Sequence, residues 1–204
     1  MRFSAVALLS LCLLAVPAAA RTQFNAADQA DLDKVSAYLN SIRTMKAGFI
    51  QTGPEGDDVQ GKLYLVKPGR IRFEYDPPAP LLVVSDGKTV AVQNKELKTV
   101  DRYPISQTPL DIILGDTIDL KKNGEIVAVQ HLQDQLIVKA HTSNFGVHAD
   151  IALIFAMPSL ELRQWTVVDD QGMPTQVVLR DVQTGIDVPP AEFVLPRPSV
   201  LGFH

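Results

Sequence analysis

The chain has 204 residues, with 19 Lys+Arg against 23 Asp+Glu and a formal net charge of −4 at pH 7. That mildly acidic balance argues against a nucleic-acid partner, which needs a basic stripe. The only cysteine, Cys12, falls in the N-terminal apolar run described next, so the mature chain is expected to have no disulfide and no thiol chemistry.

Arg2 supplies a short positive start, Ala5 to Val16 form an apolar run broken by Pro17, and Ala18-Ala19-Ala20 offers a cleavage site before Arg21. The run is too short to span a bilayer, which needs ~20 apolar residues. Residues 1–20 therefore read as a cleaved secretion signal and 21–204 as one domain of 184 residues, of net charge −5 once Arg2 is lost. An uncleaved anchor is disfavoured because no second apolar run follows. Lipid attachment at Cys12 is disfavoured by the bulky Leu11 before it.

One helix is expected to open the domain. Leu32, Val35, Leu39 and Ile42 make an apolar stripe, Asn25 is a plausible N-cap, and Asp28, Asp31 and Asp33 suit the positive end of the helix dipole. The period then changes to two. Strands are predicted over 44–51, 59–67, 70–75, 81–85, 88–93 and 96–103, with a hairpin signal at Asp86-Gly87. Pro109 starts a short helix that ends at Gly115, and 116–122 reads as a second one closed by Asn123-Gly124. Strand patterns resume at 125–133, 135–141, 149–156, 161–168 and 174–182. The tail, with Pro196 and Pro198, can form at most an edge strand.

Roughly ten strands joined by short turns imply antiparallel neighbours, and the class is mainly β (α+β), a curved antiparallel sheet with a few helices on one face. Alternation places Leu63, Leu65, Lys67, Ile71, Phe73 and Tyr75 on one side, and Lys62, Tyr64, Val66, Arg70, Arg72 and Glu74 on the other. A bulge or turn at Pro68-Gly69 would shift that parity. So wide a sheet curls, splits or closes. Two outcomes stay open: it closes on its own side chains, or incomplete helical cover leaves a concave apolar cleft suited to a lipid chain, at ~0.8 kcal/mol per buried CH₂. Lys67 likewise has two readings, as a snorkelling strand-end lysine or as a donor to lid carbonyls or a ligand ester.

Motifs for catalysis are missing: there is no G-x-S-x-G elbow, no H-E-x-x-H and no Gly-rich phosphate loop. His131, His141, His148 and His204 are the histidines. A metal site at His141 and His148 would need a carboxylate such as Asp150 brought in by the fold, and surface histidines are the plainer reading. Neither a cofactor nor a metal is expected.

The stretch from Gly61 to Tyr75, followed by Pro77-Pro78 and by Val84-Ser85-Asp86-Gly87-Lys88, resembles the LolA family of periplasmic lipoprotein carriers. Phe49-Ile50-Gln51, Thr108-Pro109-Leu110 and Phe193-Val194-Leu195-Pro196 agree with it, in the same order along nearly the whole mature chain. The resemblance implies an unclosed β-barrel with a helical lid over an apolar cavity, monomeric and in the periplasm. It implies lipoprotein acyl chains as cargo, an ATP-driven inner-membrane release complex as donor and an outer-membrane acceptor. On this reading Phe49, Leu65, Lys67, Ile71, Phe73, Tyr75, Ile112 and Ile113 bind lipid. Lys67 stands where the family often has a lid-holding arginine and is expected to donate to carbonyls near 107–115, with Arg70 or Arg72 sharing the task. Phe73→Glu is expected to abolish binding while leaving the protein folded. The alternative is a carrier or sensor of this fold for another amphiphile, a glycolipid or phospholipid.

Overall fold

A computed structural model describes residues 24–109, 111–122, 126–142 and 148–197. The expected signal 1–20 and the Asn123-Gly124 stop lie outside the described residues. The first six strands are β1 (Thr44–Thr52), β2 (Asp58–Val66), β3 (Arg70–Tyr75), β4 (Leu81–Asp86), β5 (Thr89–Asn94) and β6 (Thr99–Pro104). The other five are β7 (Ile126–His131), β8 (Gln135–Thr142), β9 (Ala149–Ala156), β10 (Glu161–Asp169) and β11 (Pro174–Thr184).

All eleven form one antiparallel sheet in the order β6-β5-β4-β3-β2-β1-β11-β10-β9-β8-β7. Each strand pairs with its chain neighbour except at the centre, where β1 pairs with β11 from Met45↔Thr184 to Thr52↔Gln176. That single long-range ladder joins two meanders. No ladder joins β6 to β7 among the described residues, so the sheet curls into an unclosed barrel, as expected for so many strands.

Alternation sets the inner face. Leu63 pairs with Phe73 and Leu65 with Ile71, and all four are buried. The turn at Pro68-Gly69 leaves this parity unshifted. Gly69 has φ +72°, and a Cβ on it would lie 2.8 Å from the Gly87 Cα, so two hairpin turns touch where only glycines fit. Gly61 is a second enforced glycine. It sits between Phe49 and Tyr75 in the ladders, and a Cβ there would meet the Glu74 carbonyl oxygen at 2.1 Å and the Phe49 ring at 2.9 Å. Gly61→Ala is therefore expected to destabilise the protein by ~1–3 kcal/mol or more through overpacking, measured by urea unfolding.

Helix α1 (Ala26–Ser41) starts in a capping box: the Asp28 N–H donates to Asn25 Oδ1 at 2.9 Å and the Asn25 N–H to Asp28 Oδ2 at 3.2 Å. Its stripe of Leu32, Val35 and Leu39 is buried. The Leu162 N–H at the start of β10 donates to the Tyr38 hydroxyl at 3.0 Å. The Tyr38 ring meets Phe155 of β9 edge-on at 6.1 Å, and Asp31 bonds His131 at the end of β7 at 2.7 Å. The end of β7, the end of β9 and the start of β10 lie at one end of an antiparallel meander, so α1 crosses that end of the barrel.

The short α2 (Asp111–Leu114) packs Ile112, Ile113 and Leu114 inward. The second short helix expected over 116–122 does not form. Instead, the Asn40 side-chain amide both accepts from the Ile118 N–H and donates to the Ile118 carbonyl, each at 2.8 Å. The Leu120 N–H donates to Ser36 Oγ at 3.1 Å. A side-chain amide mimics a peptide group, so these bonds satisfy the backbone without helix and pull buried Ile118 and Leu120 against the lid.

The tail is expected to form at most an edge strand. It pairs with no strand among the described residues. A 3-10 turn at Pro190–Phe193 packs on β3 and β4 from outside. Arg70 lies over the Phe193 ring at 5.6 Å, Arg72 Nη1 donates to the Glu192 carbonyl at 3.3 Å, and Arg102 donates to the Pro196 carbonyl at 2.9 Å. Val84 pairs with outward Arg72 and with Ala91, and Leu82, Val84 and Ala91 are buried on this outer side. The unbroken apolar run Leu81-Leu82-Val83-Val84 thus marks a strand covered on both faces.

Candidate functional site

The concave face, α1 and α2 enclose an apolar cleft. Its walls are Leu39 and Ile42 from the end of α1, Met45 from β1, and Leu63 and Leu65 from β2. Opposite stand Ile71 of β3, Ile113 of α2, and Leu162 and Trp165 of β10, with Lys67 the one charged lining group. The free space is narrow: the centre of a water-sized sphere has only about 20 Å³ to move in, enough for about one water. The cleft is too narrow for an acyl chain as it stands, so a chain could enter only if the walls moved outward.

Of the residues singled out in the sequence, Leu65, Lys67, Ile71 and Ile113 line the cleft. Phe49, Phe73 and Tyr75 sit next to it in an edge-on cluster, with Phe49–Phe73 at 5.3 Å and Phe49–Tyr75 at 5.1 Å. Phe73 meets Trp165 at 6.3 Å, so the cluster backs the wall rather than forming it. Ile112 is buried beside Ile113. The Tyr75 hydroxyl donates to Gln51 Oε1 at 2.7 Å, and burial pushes its pKa up to about 12, so it stays neutral. Arg70 and Arg72 face outward and hold the tail, not the lid. Strict alternation in β3 requires this, because Ile71, Phe73 and Tyr75 take the inner side.

Lys67 is buried at 5% exposure, and its Nζ donates to the Leu39 carbonyl at 2.7 Å. The expected partners near 107–115 are not the ones it takes. Leu39 is in the last turn of α1, where carbonyls lack intrahelical donors, and α1 has no basic residue of its own there. Lys67 supplies from the β2–β3 turn the positive charge that a helix C-terminus favours. Burial, then the repulsion of Arg43, lowers its pKa from 10.5 to about 8, with Asp116 opposing. The segment after α2 is held by two other groups. The Gly69 N–H donates to the Leu114 carbonyl at 3.0 Å, and Arg43 donates to Asp116 Oδ1 at 2.7 Å and to its carbonyl at 3.0 Å.

Arg43, Met45, Leu162 and Trp165 were missed in the sequence. Met45 and Trp165 each lie in a predicted strand, but the β1–β11 ladder that sets which side they face is long-range. Arg43 carried no signal at all, because its partner is 73 residues away. Ile113 is the plug that α2 inserts. Ile113→Ala is expected to lower stability by ~2–5 kcal/mol and to raise the affinity for an apolar fluorophore, read in one fluorescence titration beside one unfolding curve.

The family model described as outer membrane lipoprotein carrier protein LolA matches residues 40–196. An outer-membrane lipoprotein carrier protein of Chromohalobacter salexigens is 25% identical over 195 residues, covering 91% of this chain and 90% of that protein. Another, of Dechloromonas aromatica, is 25% identical over 177 residues, covering 82% and 84%. Among solved structures, a LolA superfamily protein from Nitrosomonas europaea aligns with a TM-score of 0.43 at 9% identity, over 80% of this chain and 97% of that one.

Proposed function

The chain belongs to the LolA family, and on that premise we propose that it is a periplasmic carrier. In this reading it takes the acyl chains of lipoproteins from an ATP-driven inner-membrane release complex and carries them to an outer-membrane acceptor. The observation that carries the reading is the narrow cleft: an apolar concave face roofed by helices whose ends are fastened by a few polar bonds, at Lys67, Gly69 and Arg43. The charge-assisted bond of buried Lys67 is worth ~1.5–3 kcal/mol, and the exposed Arg43–Asp116 pair ~1 kcal/mol or less. Burial of one CH₂ returns ~0.8 kcal/mol, so a few methylenes balance each fastening, and a chain of ordinary length can displace the roof. Closure after delivery then needs no nucleotide at the carrier, because the side chains refill the cleft themselves.

Native mass spectrometry of the protein taken from its own periplasm tests the cargo. Triacylated lipoprotein in the complex is the expected result. Phospholipid or glycolipid in its place would assign the same cleft to another amphiphile, and an empty protein from lipoprotein-replete cells would count against the carrier reading altogether.

A further inference from the structure

On the outer face of the barrel, away from the cleft, β8 and β9 bring two histidines and a carboxylate together. His141 pairs with Asp150 across the ladder, and His148 stands two residues before Asp150, just ahead of β9. His141 Nδ1 bonds Asp150 Oδ1 at 2.8 Å. The His141 and His148 rings are stacked, with centroids 6.5 Å apart and planes 25° from parallel. Both histidines are exposed. Asp150 is the carboxylate whose arrival by folding was the condition for a metal site here.

We propose that His141 and His148 form a surface site for a divalent first-row transition metal, copper(II) above nickel(II) and zinc(II). If Asp150 accepts a proton-bearing Nδ1, then Nε2 of His141 is the free lone pair, and a carboxylate behind a ligating imidazole fixes its tautomer and raises its basicity. Diagonal neighbours across antiparallel strands are within reach of long side chains. Metal–nitrogen bonds of about 2.0–2.1 Å require the two rings to turn their edges toward each other, which half-exposed imidazoles are free to do. No cluster of three or more ligating groups is gathered among the described residues, so two imidazoles and solvent complete the shell. Affinity for a pair of imidazoles follows the divalent order with copper highest. Neither histidine touches the cleft, so the site stands independently of the carrier reading.

The test is a copper(II) titration of the tag-free mature protein, followed by amide NMR. Line broadening centred on His141 and His148 is expected at pH 7.5 and is lost when a chelator strips the metal. His141→Gln and His148→Gln should each weaken binding at least tenfold, and Asp150→Asn by about tenfold, because the carboxylate holds the His141 ring through Nδ1. These residues are exposed, and circular dichroism of the variants controls for folding. Broadening centred instead on His131, His204 or the N-terminal amine, or an affinity unmoved by His141→Gln, would overturn the proposal.

Discussion

Glutamate in place of Phe73 is expected to abolish the folded state at neutral pH, not only ligand binding. Phe73 is 6% exposed and stands edge-on between Phe49 and Trp165. Removing such a ring costs ~3–5 kcal/mol. An unpaired carboxylate left in its place adds several kcal/mol more. Total stability of a domain is ~5–15 kcal/mol, so the substitution consumes most or all of it. The sequence-level expectation is a folded but non-binding variant; the packed rings around Phe73 favour loss of the fold instead. Near-UV circular dichroism reads the outcome through the single tryptophan, Trp165. A collapsed signal is expected for Phe73→Glu, and a retained one with a loss of less than about 1.5 kcal/mol for Phe73→Leu, a near-conservative apolar change. A native-like spectrum for the glutamate variant would mean the cleft is open enough to hydrate a charge.

The same residue marks the boundary of what the sequence reveals. Period-two alternation placed Leu63, Leu65, Ile71, Phe73 and Tyr75 on one face, and that face is the core. Turn residues placed the hairpins, and the stripe of Leu32, Val35 and Leu39 placed α1. These signals are local, so they are legible. The remainder depends on contacts between distant segments. Asn40 and Ser36 hold 116–120 out of helix, and nothing within 116–122 records that competition. Arg70 and Arg72 had the right parity for the outer face, and only the resemblance to a lid-holding motif drew them inward. Their true partners, Phe193 and Glu192, lie more than a hundred residues on. Whether the cleft is open or shut depends on how α1 and α2 seat on the concave face, which no pattern of residue types records.

Lys67 is expected to give the protein a stability that rises with pH across an unusual range. Its pKa falls from 10.5 to about 8 on folding. Between those values the folded chain has released a proton that the unfolded chain still holds, so the unfolded state binds more protons and stability increases with pH. Below pH 8 both states carry the proton, and the folded state bears the full burial penalty of the ammonium. The gap corresponds to on the order of 3 kcal/mol between the two plateaus. Urea unfolding at pH 7, 8, 9 and 10 measures it, with Lys67→Leu as the reference that cancels the titration of the other lysines. Leucine removes the step altogether. At pH 7 it also removes the burial penalty, but it leaves the Leu39 carbonyl without its donor at ~1–3 kcal/mol, so its net stability at that pH should be close to that of the parent. Arginine removes the step in the other way, since a guanidinium stays charged throughout, and it keeps the bond to α1. The same three forms separate a latch from a bystander. The bond from Lys67 to the Leu39 carbonyl fastens α1 over the cleft, and re-forming it as the cargo leaves favours release. Transfer of a labelled lipoprotein should then be slower for Lys67→Leu than for the parent and at least partly preserved for Lys67→Arg. A flat pH profile in the parent, together with equal transfer by all three, would mean that the lysine reaches water past Leu39 and takes no part in opening.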